Sequence, residues 1–465
     1  MNARAPLWSA KEAAAATGGN AIGDWMAYGI SIDTRTIEPG DLFVALKGER
    51  DGHDYVAAAL EKKAAVALVA GRPQNVSVDA PLLIVGDTQS GLEALGRASR
   101  ARTNAKILAV TGSAGKTTTK EMLRLMLAAS GPVAASAASY NNHWGVPLSL
   151  ARMARDSAYG VFEIGMNHAG EIRALVKQVR PHVAIITTIA PAHLEYFGGV
   201  EAIADAKAEI FEGLEPGGTA ILPADNSQFA RLKAHAQAAG VASILSFGTQ
   251  AGADARLIAS EPFGEGQKLI AEIRGARIEF AVGAAGAHIA MNAVAGLLAL
   301  RELGCEMNAG ARALGGFAAL KGRGARLAVG GIALIDESYN ANPASMAAAL
   351  DLLGQTQPQP PGRRIAVLGD MLELGQNAAE LHRGLAAAIA AARTDLAFLC
   401  GPQMAALWQA LEPKLRGAYA ENSSALAPDL MDRLRTGDVV LVKGSFGSRM
   451  SVIIDALKMR QAATA

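Results

Sequence analysis

The sequence predicts an α/β fold in several domains, built on parallel sheets, with a phosphate-binding loop in the central one. Three observations carry that prediction. The chain has 465 residues, too many for one compact core. Short β-branched runs alternate with Ala- and Leu-rich helical stretches almost throughout, the pattern of βαβ units. The strand-like run "AKILAVTG" (105–112) opens onto "SAGKTT" and then a helical stretch.

Bulk properties exclude several classes. Hydrophobic residues make up 51% and charged residues 19%, so the chain is globular rather than disordered. Lys and Arg number 44 against 43 Asp and Glu, a formal net charge of +1 that gives no support to nucleic-acid or membrane-surface binding. Cys305 and Cys400 are the only cysteines, with no CxxC, so neither a disulfide framework nor a zinc site is expected and a reducing cytoplasm fits. The opening "MNARAPLWSAKEAAAATGG" lacks the apolar stretch of a secretory leader, and no apolar run approaches the length of a membrane span. Ala-rich "LAAAIAAAR" reads instead as a buried helix face.

A first segment, 1–88, shows strands at "DLFVAL", "AAVALVA" and "LLIVGDT", followed by a Gly/Ser-bearing turn at Gly86–Gly91 before a helix. The second, 89–320, runs from "AKILAVTG" through "YGVFEIG" and "HVAIITTI" to the helix "HIAMNAVAGLLALREL". A Gly-broken run, "LGGFAALKGRGARL", leads to the third, 321–465, with strands at "GIALIDE", "RRIAVLGD", "LAFLCG" and "DVVLVKGS". The tract "GQTQPQPPGRR" is an exposed loop. Ligands of open α/β sheets gather at the carboxyl ends of strands. Here those ends carry Thr111–Thr118, Glu163, His193, Asp336, Asp370 and Lys443.

The loop Gly112-Ser113-Ala114-Gly115-Lys116-Thr117-Thr118 has the order that phosphate binding needs. Its backbone N–H groups and the following helix N-terminus make an anion cradle. Lys116 would neutralise β/γ-phosphate charge, and Thr117 would offer a hydroxyl to Mg²⁺. Val110 occupies the first Gly position of the long form of the motif, so the pattern is the shorter G-x-x-G-K-T. Glu163 lies inside an apolar strand and needs a cation or strong donors there, as a Mg²⁺ ligand or a core ion pair. His193, just past another strand end, reads on its own as a hydrogen-bonded loop residue. "VEAIADAKAEIFEGL" reads as an amphipathic helix whose Lys207 and Glu209 lie on its solvated face. Asp336, Glu337, Asn340 and Asn342 follow a strand end, where they suit ribose, base or substrate recognition, or simply make the turn. "LVKGSFGSRM" is a second strand–Gly–helix junction.

In order along the chain, TGSAGKTT (111–118), NNHWGVPLSL (141–150), FEIGMNHAGEI (162–172), APAHLEYFGG (190–199), AKAEIF (206–211), the helix bearing Asn292, LKGRGAR (320–326) and IDESYNANPASM (335–346) resemble the Mur ligase family. These are ATP-dependent amide-forming enzymes of peptidoglycan precursor synthesis. The resemblance implies a three-domain architecture: a UDP-muramyl-peptide-binding domain, a central P-loop parallel-sheet ATPase domain and a Rossmann-like C-terminal domain. It also implies Mg²⁺, a cytoplasmic monomer, and a role in cell-wall biogenesis, cell shape and division. "ESYNANPASM" and "VLGDMLELG", with no D-N-P-R motif for a diamino acid, imply that UDP-N-acetylmuramoyl-tripeptide is joined to D-Ala-D-Ala. The alternatives are a sibling ligase adding the third amino acid, and a P-loop switch whose output is conformational.

Site roles follow from the resemblance residue by residue. Lys207 would be carbamylated by CO₂ and act as a carboxylate-like metal ligand. His193 would stand beside a second metal, and Glu163 beside the metals that hold the γ-phosphate. Asn292, Arg323 and Asp336 would surround adenosine and phosphates. Thr34, Arg35, Lys47 and Gly48 would meet the UDP end, and Asn141 and Asn142 the muramyl-peptide. Ala114 stands where Asn is common, leaving the backbone alone to contact phosphate, and Glu337 stands where a second Asp is common.

Overall fold

Three large sheets divide the chain, beside a two-stranded ribbon of Trp8–Ser9 and Met26–Ala27. The computed structural model describes residues 5–137 and 139–464, side chains beyond Met459 apart. Met1–Arg4, which open the stretch read as lacking a leader, lie outside the described residues.

The first sheet has five strands in the order Asn20–Ile22, Leu82–Ile84, Val66–Val69, Asp41–Val44, Gly29–Ser31, all parallel except the first. Its central strands read as unbroken apolar runs because both faces are covered. The expected turn at Gly86–Gly91 is instead the start of the helix Thr88–Ala101. Asp87 is its N-cap, accepting from the Ser90 N–H, so Ser90 and Gly91 fall inside the helix. Leu92 and Leu95 of that helix complete the first core.

The second sheet has nine strands. From the fifth strand to one edge it runs Thr219–Pro223, Val183–Ile186, Lys106–Thr111, Tyr159–Glu163, Val133–Ala135, all parallel. Alternate residues of Lys106–Thr111 serve opposite cores. Leu108 and Val110 pack with Met122, Leu123 and the helix Ala287–Glu302, while Ile107 and Ala109 pack with Ile172, Ile203 and Phe211. This strand sits where the chain order reverses to either side, the position at which a doubly wound sheet opens a crevice. Two antiparallel hairpin strands, Gly266–Ile273 and Ala276–Val282, extend the far edge.

The third sheet has six strands, ordered Ala325–Val329, Ile332–Glu337, Val439–Lys443, Arg364–Gly369, Leu396–Cys400, Arg416–Ala420, the first antiparallel. The helix Ala378–Ala391 carries the Ala-rich stretch and buries one face only, with Leu385 and Ile389 inside and Ala387 and Ala390 exposed. No described helix is long and apolar enough to cross a membrane.

Candidate active site

The helix Lys116–Leu127 begins at Gly115 (φ +81°) with no side-chain cap, so the amides of its first turn point outward unspent. The loop before it is pinned from behind. Ser113 donates its N–H to the Thr188 carbonyl and its hydroxyl to the Ala190 carbonyl, and the Thr187 hydroxyl donates to the Ala114 carbonyl. A Cβ at Gly112 would collide with the Thr187 hydroxyl, so the glycine is required for this close approach. Lys116 Nζ donates to the Gly112 carbonyl at 2.8 Å. Burial pushes its pKa down, the Glu163 carboxylate pulls it back up, and Arg323 lowers it further.

Glu163 is 1% exposed at the end of the neighbouring strand. Its two oxygens accept from Thr117 Oγ1 and from Asn141 Nδ2, each at 2.7 Å. These donors answer the cost of burying the carboxylate. The hydroxyl and carboxylate are hard oxygen ligands that suit Mg²⁺. Among the described residues no three His, Cys, Asp or Glu lie close enough to hold a metal by themselves.

The expected solvated face of "VEAIADAKAEIFEGL" is corrected by the fold. The α-helix stops at Ala208, and a 3₁₀ turn, Glu209–Gly213, follows. Lys207 is 1% and Glu209 5% exposed. Glu209 accepts from the Gly170 and Arg173 N–H groups, capping the helix Glu171–Val179. Lys207 has no carboxylate or carbonyl within hydrogen-bond reach among the described residues. Burial, and secondarily the charge of Lys116, hold its pKa well below the ordinary lysine value.

The C-terminal segment supplies the opposite wall. Asn342 caps the helix Pro343–Gln355 and also donates from Nδ2 to the Ser113 carbonyl at 3.1 Å. Arg323 lies 3.7 Å over the Tyr339 ring and donates to Ser139 Oγ at 2.8 Å. His193 meets Glu373 across the same junction, Nδ1 to Oε2 at 2.5 Å. Burial lowers the His193 pKa, Glu373 opposes this, and the charges of Lys116 and Lys207 add to the lowering.

These groups enclose a cleft of about 570 Å³. It is lined by Ser113–Thr118, Asn141, Glu163, His193, Asn292, Arg323, Asn340 and Asn342. The Asn292 Nδ2 is buried beside Gly115 with no hydrogen-bond partner among the described residues, a donor free for a ligand. Gly112, Asn142, Lys207 and Asp336 do not line it. Asp336 is 1% exposed and its oxygens accept from the Gly322 N–H and from Ser338, so it fixes the loop that carries Arg323. Thr34, Arg35, Lys47 and Gly48 lie apart, at the first sheet. Trp144 bridges the gap: a Cβ on Gly48 would stand 2.7 Å from its indole, and Asn142 Oδ1 accepts from the Trp144 and Gly145 N–H groups. Sequence reasoning passed over Asp225, Asn226, His288 and Glu373. The first two follow the strand Thr219–Pro223 and were open to the same strand-end argument.

Family models for the Mur ligase middle domain match residues 110–300, for the Mur ligase glutamate ligase domain 322–446, and for the Mur ligase family catalytic domain 27–122. The UDP-N-acetylmuramoyl-tripeptide–D-alanyl-D-alanine ligase of Rickettsia prowazekii is 33% identical over 449 residues, 97% of this chain and 99% of that protein. The ligase of the same name from Escherichia coli is 34% identical over 435 residues, 92% and 93% of the two. Among solved structures, MurF from Acinetobacter baumannii matches with TM-score 0.86 at 31% identity, covering 98% of this chain and 99% of that one. MurF from Thermotoga maritima in complex with ADP matches with TM-score 0.78 at 26% identity, covering 94% and 98%.

Proposed function

The chain belongs to the Mur ligase family, and on that premise we propose that it joins D-alanyl-D-alanine to UDP-N-acetylmuramoyl-tripeptide in an ATP-dependent reaction. The products are the UDP-N-acetylmuramoyl-pentapeptide, ADP and phosphate. One observation carries the reading. A phosphate loop, a buried carboxylate and the C-terminal wall close on one cleft, in a chain aligned along almost its whole length with ligases of that activity.

A carboxylate is a poor acyl donor because it is anionic and lacks a leaving group. Its oxygen attacks the γ-phosphorus of ATP, the bond to the β-phosphate oxygen breaks, and ADP leaves. The D-Ala-D-Ala amine then attacks the acyl carbon. The C–O bond to phosphate breaks with its electron pair, and the amine gives up a proton. Lys116 screens the repulsion between carboxylate and γ-phosphate, and the open amides of the loop hold the phosphates. Thr117 and Glu163 would hold Mg²⁺, which would supply further charge neutralisation. Asn292 and Arg323 face the nucleotide. Holding three substrates in one cleft supplies much of the rate, and its closure keeps water from the acyl phosphate.

We assign 1–88 to the UDP-muramyl-peptide, 89–320 to ATP and 321–465 to the incoming dipeptide. The Gly48–Trp144 contact supports a track from Arg35 and Lys47 to Asn141 at the cleft. A carbamate on Lys207 is supported by its burial, by its missing partner and by its lowered pKa, which supplies the neutral amine that CO₂ attack requires. The enzyme acts as a cytoplasmic monomer.

The test is phosphate release with each UDP-muramyl-peptide, with and without D-Ala-D-Ala, with product mass as a second readout. Release that needs both the tripeptide and the dipeptide is expected. Efficient addition of a diamino acid to a dipeptide precursor gives the function to the sibling ligase, and release without either acceptor or donor gives it to a switch. Lys116→Ala is expected to fold and to lose about 10³-fold in turnover.

A further inference from the structure

Three consecutive residues past a strand of the central sheet meet one loop of the C-terminal segment. His193 Nδ1 bonds Glu373 Oε2 at 2.5 Å. The Leu194 side chain packs against both the central core and the C-terminal core. The Glu195 N–H donates to the Glu373 carbonyl at 3.1 Å, and a Cβ on Gly375 would stand 3.4 Å from the Glu195 Cα. Both His193 (φ +59°) and Glu373 (φ +61°) adopt the left-handed region, which non-glycine residues enter only where surroundings hold them. The backbone is thus strained on both sides of the junction at the two residues whose side chains touch.

The chemistry of the pair is directional. A carboxylate accepts, so the proton lies on Nδ1 and the Nε2 lone pair is left. The His193 ring lines the cleft, whereas Glu373 does not. A carboxylate behind an imidazole fixes its tautomer and ring orientation and raises its strength as a ligand.

We propose that Glu373 is a positioning residue: docking of the C-terminal segment brings its carboxylate behind His193 and thereby aims Nε2 into the nucleotide cleft. The cleft then gains a working imidazole only when the wall that brings the incoming amine is in place. This rests on the ligase reading of the cleft, but its test does not.

The probe is Mn²⁺, followed by loss of its free electron-paramagnetic signal on titration into the ADP-loaded full chain, so no turnover is needed. Glu373→Ala is expected to weaken Mn²⁺ binding about 10- to 100-fold. Glu373→Gln, whose amide oxygen still accepts from Nδ1–H, is expected to recover most of that loss. Leu194→Ala loosens the same junction without touching the ring, and is expected to weaken Mn²⁺ binding as well, because docking is what carries the carboxylate to the ring. In ¹⁵N spectra of histidine-labelled protein, the His193 ring is expected to hold one tautomer in the wild type and a mixture in Glu373→Ala. Wild-type Mn²⁺ affinity in Glu373→Ala, or a loss in Glu373→Gln as large as that in Glu373→Ala, overturns the proposal. A wild-type chain that binds Mn²⁺ and ADP yet forms no amide with D-Ala-D-Ala overturns the ligase reading instead.

Discussion

Lys207 and Lys443 are buried alike, at 1% and 2% exposure, and their surroundings are opposite. Lys443 ends a central strand of the C-terminal sheet and donates to Glu337 Oε2 at 3.1 Å and to the Asn340 carbonyl at 2.9 Å. Lys207 ends a helix of the central segment, with another cation as its charged neighbour and no acceptor in reach. Burial by itself therefore says little about a lysine. A compensated one is an anchor, and an uncompensated one is a candidate for chemistry.

The contrast breaks most visibly at Lys443. Lys443→Met leaves the Glu337 carboxylate half-buried without its cation, and is expected to lower the stability of the C-terminal segment by about 3 kcal/mol in urea unfolding. Adding Glu337→Gln should return part of that. An unchanged midpoint in Lys443→Met would erase the distinction.

Lys207→Ala should behave the other way round. Its stability is expected to equal or exceed that of the wild type, because an uncompensated amine is removed, while turnover falls about 100-fold. Acetate or formate should restore a fraction of the activity by placing an anion in the vacated space. Full activity without additive would make Lys207 structural after all.

The smallest effect is set by dissolved CO₂. In CO₂-free buffer the unfolded chain keeps the Lys207 proton up to the ordinary 10.5, while the folded chain has lost it well below that. The unfolded state therefore binds more protons in that window, and stability rises with pH across it. Lys207→Met should flatten that rise. At neutral pH, bicarbonate should lift the wild-type melting temperature by about 2 °C and leave Lys207→Met unmoved.

The same pair shows how far sequence reading reaches. The phosphate loop was legible because all its parts lie within one turn of chain: Gly112 and Gly115 take the positive φ values and close approaches that such a loop needs, and Lys116 opens the helix behind it. Lys207 was not, because helical periodicity assumes one solvated face. This helix is buried on several sides, at Ile203 and Ala204 as well as at Ala206 and Ala208, and its neighbour Glu209 is turned inward to cap a helix nearly forty residues upstream in the chain. Asp336 was placed at a strand end correctly, but its carboxylate closes its own loop rather than facing the cleft. The His193–Glu373 contact spans 180 residues, and nothing local in either stretch announces it. Pairs of that kind exist only once separate sheets dock.

The indole lying against Gly48 gives the molecule an optical signal of its own. Of the four tryptophans, Trp8 and Trp25 are buried in the first core, and Trp408 stacks near Tyr419 at the far end of the chain. Trp144 alone stands at the seam between the first sheet and the cleft, partly open to water. Its emission should shift to the blue when the sugar-nucleotide end of the substrate displaces that water, and stay unchanged with ATP alone. Binding of one substrate among three can then be followed by its own light, with no label attached.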